Sequence, residues 1–299
     1  MTGTASAALP VFKTREGEHR YMEAYDAVLR EWPVAHQELD LPTRLGTTHV
    51  IASGPAEAPA LVLLPSMAGS ATLWRPNVAA LSEAYRTYAV DVVGQAGKSV
   101  LTRRIRSRQD FADWLVDLLD ALGVRRASIV GNSYGGFLAL NQATLTPERV
   151  DRVVLINPAG TFVGGLHWAI LRASLSRMLR GKKATAITDL LGEGAKLHPD
   201  DEAWGALMQI TMSESARPNL VYPIVFSPAE LQAVLVPTLL LIGEDETLYN
   251  PHTTLKRALA RMPILRGEIV PGAHHLAALA RPNDVNRRIL EFLQQDVRR

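Results

Sequence analysis

From Leu61 onward the chain alternates short, largely unbroken apolar runs with amphipathic helical stretches, and this alternation restricts the possible folds more than any other feature. Leu61–Leu64, Arg86–Val93, Arg126–Val130 and Val150–Ile156 read as strands. A strand covered on both faces is apolar at every position rather than at alternate ones, so these runs predict a parallel sheet with helices on both sides. Leu73–Tyr85, Gln109–Leu122 and Gly135–Thr146 supply helices between them; in the second, Phe111, Trp114, Leu115, Leu118 and Leu119 share one face. Upstream, Glu18–Trp32 reads as a short amphipathic helix closed by Pro33. Val34–Leu41 and Thr43–Ser53 read as a hairpin turning at Arg44-Leu45-Gly46.

The rhythm stops after Asn157-Pro158. Helical stretches at Leu166–Leu179, Ala184–Leu191 and Asp200–Met212 follow without a convincing strand. At Pro237 it resumes: strand Thr238–Ile242, helix His252–Arg261, strand Gly267–Val270 and helix Asn283–Gln295. The expected organisation is a core of residues 1–160 and 229–299 interrupted by a helical cap, or lid, over 161–228. A length of 299 residues suits one large α/β unit with such an insertion. With 47% hydrophobic and 21% charged residues, the chain can bury a sizeable core.

A net charge of +2, with the basic residues mainly arginine and no basic face, argues against a nucleic-acid partner. The absence of cysteine excludes disulfides, thiolate metal sites and a cysteine nucleophile. No apolar run reaches the ~18–20 residues of a membrane span, and the first ten residues lack the features of a secretory leader, so a soluble cytoplasmic protein is expected. Leu166–Arg180 is amphipathic and is read as a lid helix over an apolar pocket rather than as a membrane-surface helix.

The chemistry concentrates where Ala127–Val130 runs into Gly131-Asn132-Ser133-Tyr134-Gly135-Gly136 and then a helix. This is G-x-S-x-G in a strand–turn–helix setting, where a serine at the apex of a sharp turn needs small neighbours two residues away on each side. A dinucleotide-binding turn would instead show G-x-G-x-x-G, which is not present. Gly94–Ser99 ends like a phosphate loop but has Val92 where the first glycine belongs, so it reads as a turn. A serine nucleophile requires a base and an orienting acid. His274 and His275 follow the strand ending at Val270, and Glu244, Asp245 and Glu246 follow the strand ending at Ile242.

These residues resemble the α/β-hydrolase fold superfamily over roughly Leu61–Leu293, most specifically a bacterial carboxylesterase-like branch with Gly-Glu-x-Glu after the penultimate strand. The resemblance implies a mostly parallel central sheet with helices on both faces and a helical lid inserted before the penultimate strand. It assigns the acid to the third residue after the glycine, Glu246, with Asp245 second. It assigns the base to the last position of a P-G-x-G-H pattern, His275, leaving His274 at a glycine position. The order Ser133, Glu246, His275 is that of the fold. The oxyanion hole is implied to be the amides of Met67 and Tyr134, although the usual His-Gly pair after the first parallel strand reads Pro65-Ser66 here.

The implied activity is acyl transfer to water from an ester, lactone or thioester, with no metal or organic cofactor. Trp74, Trp168 and Met208 are candidate contacts for a small apolar ester-like substrate. No nucleic-acid or membrane partner is expected, and the protein is expected to be a monomer or homodimer. Two alternatives stay open. One is an enzyme of this fold with other chemistry, such as C–C bond hydrolysis, cofactor-free perhydrolysis, or a lyase or cyclase step; the other is a ligand-binding protein on a hydrolase scaffold.

Overall fold

A computed structural model describes residues 7–164 and 202–295. Its strands are β1 (His36–Thr43), β2 (Gly46–Ser53), β3 (Ala60–Leu64), β4 (Arg86–Val90), β5 (Val100–Leu101), β6 (Ala127–Asn132), β7 (Val150–Ile156), β8 (Thr238–Gly243) and β9 (Leu265–Val270). The helices described are α1 (Arg15–Arg30), α2 (Arg75–Ser82), α3 (Arg108–Ala121), α4 (Tyr134–Leu145) and α5 (Glu202–Glu214). They are followed by α6 (Pro228–Ala233), α7 (Pro251–Leu259), α8 (Ala277–Ala280) and α9 (Pro282–Gln294). The described residues divide into two units, residues 7–127 with 202–222, and residues 128–164 with 223–295.

In the first unit, β1 and β2 form the expected hairpin, with His36 opposite Ser53 and Thr43 opposite Gly46. β2 also pairs antiparallel with β4 and with the short β5, and β3 runs parallel to β4. Helix α1 starts earlier than its apolar spacing predicts because Thr14 caps it, accepting the Gly17 N–H at 2.9 Å. Tyr21, Tyr25, Val28 and Leu29 form its buried stripe. Helix α3 begins with a capping box between Ser107 and Asp110 and buries all five of its predicted apolar residues. Among them, Trp114 donates its indole N–H to Thr48 Oγ1 at 2.8 Å.

The segment predicted as one helix from Leu73 opens instead as a 3₁₀ turn, Ala71–Trp74, and becomes α-helical at Arg75. The strand predicted over Arg86–Val93 stops at Val90 because Asp91 turns the chain. The buried Asp91 carboxylate accepts the Ala71 N–H at 2.6 Å and the Lys98 N–H at 2.7 Å, and its carbonyl accepts the Ser99 hydroxyl at 2.6 Å. Burial pushes this carboxyl up, while His49 and the two amides act in the opposite direction. A Cβ on Gly97 would stand 2.9 Å from the Asp91 carboxyl carbon. Gly94–Ser99 is thus a turn wrapped around an aspartate.

Of the helical stretches predicted in the insertion, Leu166–Leu179 and Ala184–Leu191 lie outside the described residues, as does Trp168. The third is α5, which packs on α1 within the first unit. Arg20 pairs with Glu214 at 2.6 Å, and Lys13 Nζ donates to the Ser213 carbonyl at 2.5 Å. No helix among the described residues is long and apolar enough to cross a membrane.

In the second unit, β6, β7, β8 and β9 stand in sequence order, with β7/β8 and β8/β9 parallel. Every residue of β8 is buried, as the unbroken apolar run predicts. Helix α4 is buried from Tyr134 to Ala143 and lies against β7. Three buried strands therefore end at one edge, each followed by a loop carrying a polar residue: Ser133 after β6, Asn157 after β7 and Glu246 after β8.

Asp91→Ala would leave the amides of Ala71 and Lys98 without their acceptor, at about 1–3 kcal/mol each. Urea unfolding should show a loss of about 2–5 kcal/mol, and a loss below about 1 kcal/mol would remove Asp91 from this holding role.

Candidate active site

Ser133 sits between β6 and α4 with φ +53° and ψ −108°, a conformation that costs a non-glycine residue about 1–3 kcal/mol. Three backbone hydrogen bonds hold it there. Its N–H donates to the Ile156 carbonyl at 2.8 Å, and its carbonyl accepts from Phe137 N–H and Ala159 N–H, each at 3.1 Å. The chain crosses itself so tightly that a Cβ on Gly131 would lie 2.1 Å from the Gly135 carbonyl oxygen and 2.5 Å from the Gly136 nitrogen. Glycine at 131 is therefore a steric requirement of the turn.

The structure brings Ser133, His275 and Glu246 into one hydrogen-bonded line. His275 Nε2 is 2.8 Å from Ser133 Oγ, and His275 Nδ1 is 2.7 Å from Glu246 Oε2. All three residues are buried. An ionised Glu246 can only accept, so the ring proton belongs on Nδ1 and Nε2 is left to accept from the serine hydroxyl. The other Glu246 oxygen accepts the Leu248 N–H at 2.8 Å, which fixes the carboxylate plane. Asp245 is exposed, and Glu244 is occupied at its own loop, accepting the Gly272 N–H at 3.0 Å.

Asn157 joins these parts. In the sequence it stands out only as the point where the alternation of strands and helices stops. In the structure it is fully buried with φ +44°. Its amide nitrogen donates to the carbonyls of both His274 and His275, each at 2.8 Å, and its amide oxygen accepts the Gly243 N–H at 2.7 Å. One side chain thus ties the histidine loop to the end of the strand leading to Glu246. The partners are remote in sequence, so no local signal reveals the role.

The other predicted positions are found as follows. Tyr134 is buried and opens α4, where backbone N–H groups favour negative charge. In the first unit, half-buried Met67 lies in the loop after β3, where Gly69 N–H closes a turn on the Ser66 carbonyl at 3.0 Å. Ala68 adopts φ +60° there and donates its N–H to Gln95 Oε1 at 3.0 Å. Trp74 is fully buried, and Met208 is half-buried on α5.

The sequence matches the profile of the Alpha/beta hydrolase family over residues 61–288. Two proteins of Bacillus subtilis are similar along nearly their whole length. The carboxylesterase YbfK is 36% identical over 94% of this chain and 96% of its own, and the uncharacterized carboxylesterase nap is 36% identical over 93% of each. The crystal structure of carboxylesterase CesB (YbfK) superposes with a TM-score of 0.86 over 93% of this chain and 99% of that one. Naproxen esterase, also from Bacillus subtilis, gives 0.85 at 34% identity, over 94% and 99%. With the match spanning most of the sequence, the chain belongs to the alpha/beta hydrolase family, in its bacterial carboxylesterase-like branch.

Proposed function

We propose that this protein hydrolyses carboxylic esters through an acyl-enzyme on Ser133, with His275 as the base and Glu246 as the acid that orients it. The observation carrying this reading is the buried line Glu246–His275–Ser133, with contacts of 2.7 and 2.8 Å. Similarity to proteins named as carboxylesterases supports the substrate class. Lactones and thioesters present the same electrophilic carbonyl and fall within the same chemistry.

In the first half-reaction His275 Nε2 takes the hydroxyl proton as Ser133 Oγ bonds to the carbonyl carbon. Glu246 stays ionised and stabilises the imidazolium across the Nδ1 hydrogen bond. The tetrahedral intermediate collapses as His275 returns its proton to the departing alcohol. Water then gives a proton to the same nitrogen as it attacks the acyl carbon, and the second tetrahedral intermediate collapses as that proton passes to the departing Ser133 Oγ, releasing the acid and restoring the serine. Donors for the oxyanion are assigned to the amides of Tyr134 and Met67, each such donor being worth about 2.7–4 kcal/mol in the transition state. The bend at Ala68 and its bond to Gln95 support this assignment despite Ser66 in the usual glycine position. Asn157 acts as a positioning residue, holding the loop of His275 relative to the strand of Glu246.

A fluorophosphonate probe should label wild-type protein at Ser133, located by mass spectrometry, and Ser133→Ala should lose both labelling and turnover of a short-chain aryl ester while unfolding at an unchanged temperature. Turnover persisting in that variant would overturn the assignment. Glu246→Gln should lower kcat by about 10³–10⁴-fold, because a neutral partner no longer holds the required tautomer. Asp245→Asn, changing an exposed side chain, should stay within about threefold of wild type, and the opposite ranking would transfer the acid role to Asp245. Asn157→Ala should reduce kcat by about 10–100-fold with KM within about twofold, as expected when alignment rather than binding is lost. Equal changes in both constants would speak against positioning.

A further inference from the structure

The chain leaves β9 at Val270 and reaches His275 through Pro271, Gly272, Ala273 and His274. Asn157 grips the far end of this segment at the carbonyls of His274 and His275. The near end turns on Gly272, whose φ is +59°. Glycine is the residue least restrained about its own dihedrals, so the segment that carries the base starts at a natural swivel. Three residues span at most ~10 Å, so a rotation of ~10° at Gly272 can carry the imidazole by ~1–2 Å. A misplacement of ~1 Å can cost ~10²-fold in rate.

Two charged side chains hold this one residue. The Gly272 N–H donates to Glu244 Oε2 at 3.0 Å, and Arg281 Nε donates to the Gly272 carbonyl at 3.2 Å. The N–H belongs to the peptide plane before the α-carbon and the carbonyl to the plane after it, so holding both fixes φ and ψ together. Each bond has one ionised partner and is stronger than a neutral pair. Glu244 comes from the acid loop, two residues before Glu246, and that loop is stitched to the base segment twice more. Glu244 N–H donates to the Val270 carbonyl and Asp245 N–H to the Ala273 carbonyl, each at 3.0 Å. Arg281 comes from beyond His275, where the backbone makes the short helix α8 and Arg281 N–H donates to the Ala277 carbonyl at 2.9 Å. Its side chain then closes residues 272–281 into a ring that contains His275. A Cβ on Gly272 would stand 2.7 Å from Arg281 Nη2, so the guanidinium lies directly against the glycine. Glu244 and Arg281 are both exposed, and neither fills the core.

We propose that Glu244 and Arg281 are positioning residues for the base: together they lock Gly272 and so keep the His275 ring on the line from Glu246 to Ser133. This rests on the reading of Ser133 and His275 as nucleophile and base. It gives the first carboxylate of the run Glu244-Asp245-Glu246 a task separate from that of the third. Glu246 acts on the imidazole ring, and Glu244 acts on the backbone that carries it.

The test measures turnover of p-nitrophenyl butyrate and the melting temperature for Glu244→Ala, Glu244→Gln, Arg281→Ala and the double variant Glu244→Ala/Arg281→Ala. Glu244→Ala should lower kcat by about 5–20-fold with KM within about twofold. Glu244→Gln, whose amide oxygen can still accept the Gly272 N–H, should recover kcat to within about threefold of wild type. Arg281→Ala should resemble Glu244→Ala. The double variant should lose less than the product of the two single losses, because freeing either dihedral already releases the lever. Melting temperatures should stay within about 4 °C of wild type, since both side chains are exposed. A kcat within twofold of wild type in Glu244→Ala, equal losses in the Gln and Ala variants, multiplicative losses in the double variant, or a fall in kcat matched by a rise in KM would overturn the proposal. Failure of the underlying reading is visible separately, as turnover persisting in Ser133→Ala.

Discussion

Ser133 holds its unfavourable backbone conformation because the end of β7 and the residues just beyond it grip it from both sides, Ile156 taking its N–H and Ala159 donating to its carbonyl. Between those two residues stands Asn157, which grips the histidine loop and the end of β8 in turn. Four consecutive residues therefore connect all three members of the hydrogen-bonded line. Their position is set by β7, whose last four residues are buried in register with β8, Val153 to Thr238 through Ile156 to Leu241. The apolar interior and the polar site are linked mechanically: strand packing fixes where the β7 loop begins, and that loop fixes Ser133 and the loop of His275. Small errors in such alignment carry large kinetic penalties, so a rigid sheet edge is a suitable support.

Much of this was legible in the sequence where a long run of residues shares one environment. β8 was predicted as Thr238–Ile242 and ends one residue later; α4 begins at Tyr134, one residue before its predicted start. The serine turn was legible because steric crowding leaves a local signature of small residues. Short elements were not: β5 has two residues and α8 four, too few for any periodicity to emerge, and α6 rests on a capping box of Ser227 and Glu230 instead of an apolar stripe. Asn157 was not legible as a site residue, because its significance lies in partners that folding brings to it. The choice among Glu244, Asp245 and Glu246 needed a family pattern, since the three carboxylates are chemically alike until the turn exposes two of them and buries the third.

The loop after β3 shows how one physical requirement can be met by different residues. Glycine is the usual means of bending backbone into the left-handed region. Here Ser66 stands where the family's glycine is expected, and the bend is carried instead by Ala68, with Gln95 receiving its N–H and Asp91 receiving that of Ala71. Side-chain acceptors from the turn after β4 thus offset a strained residue. This explains why Asp91 is worth burying despite the cost of removing a carboxylate from water.

Asn157 has a consequence for how this site could diverge. Its side chain is used as donor and acceptor at once, two N–H bonds to carbonyls and one oxygen to an amide. Aspartate differs from asparagine by a single nucleotide in the codon, yet it would present lone pairs to the carbonyl oxygens of His274 and His275. The single change Asn157→Asp would therefore break both hydrogen bonds to the histidine loop. A carboxylate at the end of β7 could be accommodated only if that loop found other donors, so the amide of Asn157 ties the present arrangement to a carboxylate at the end of β8.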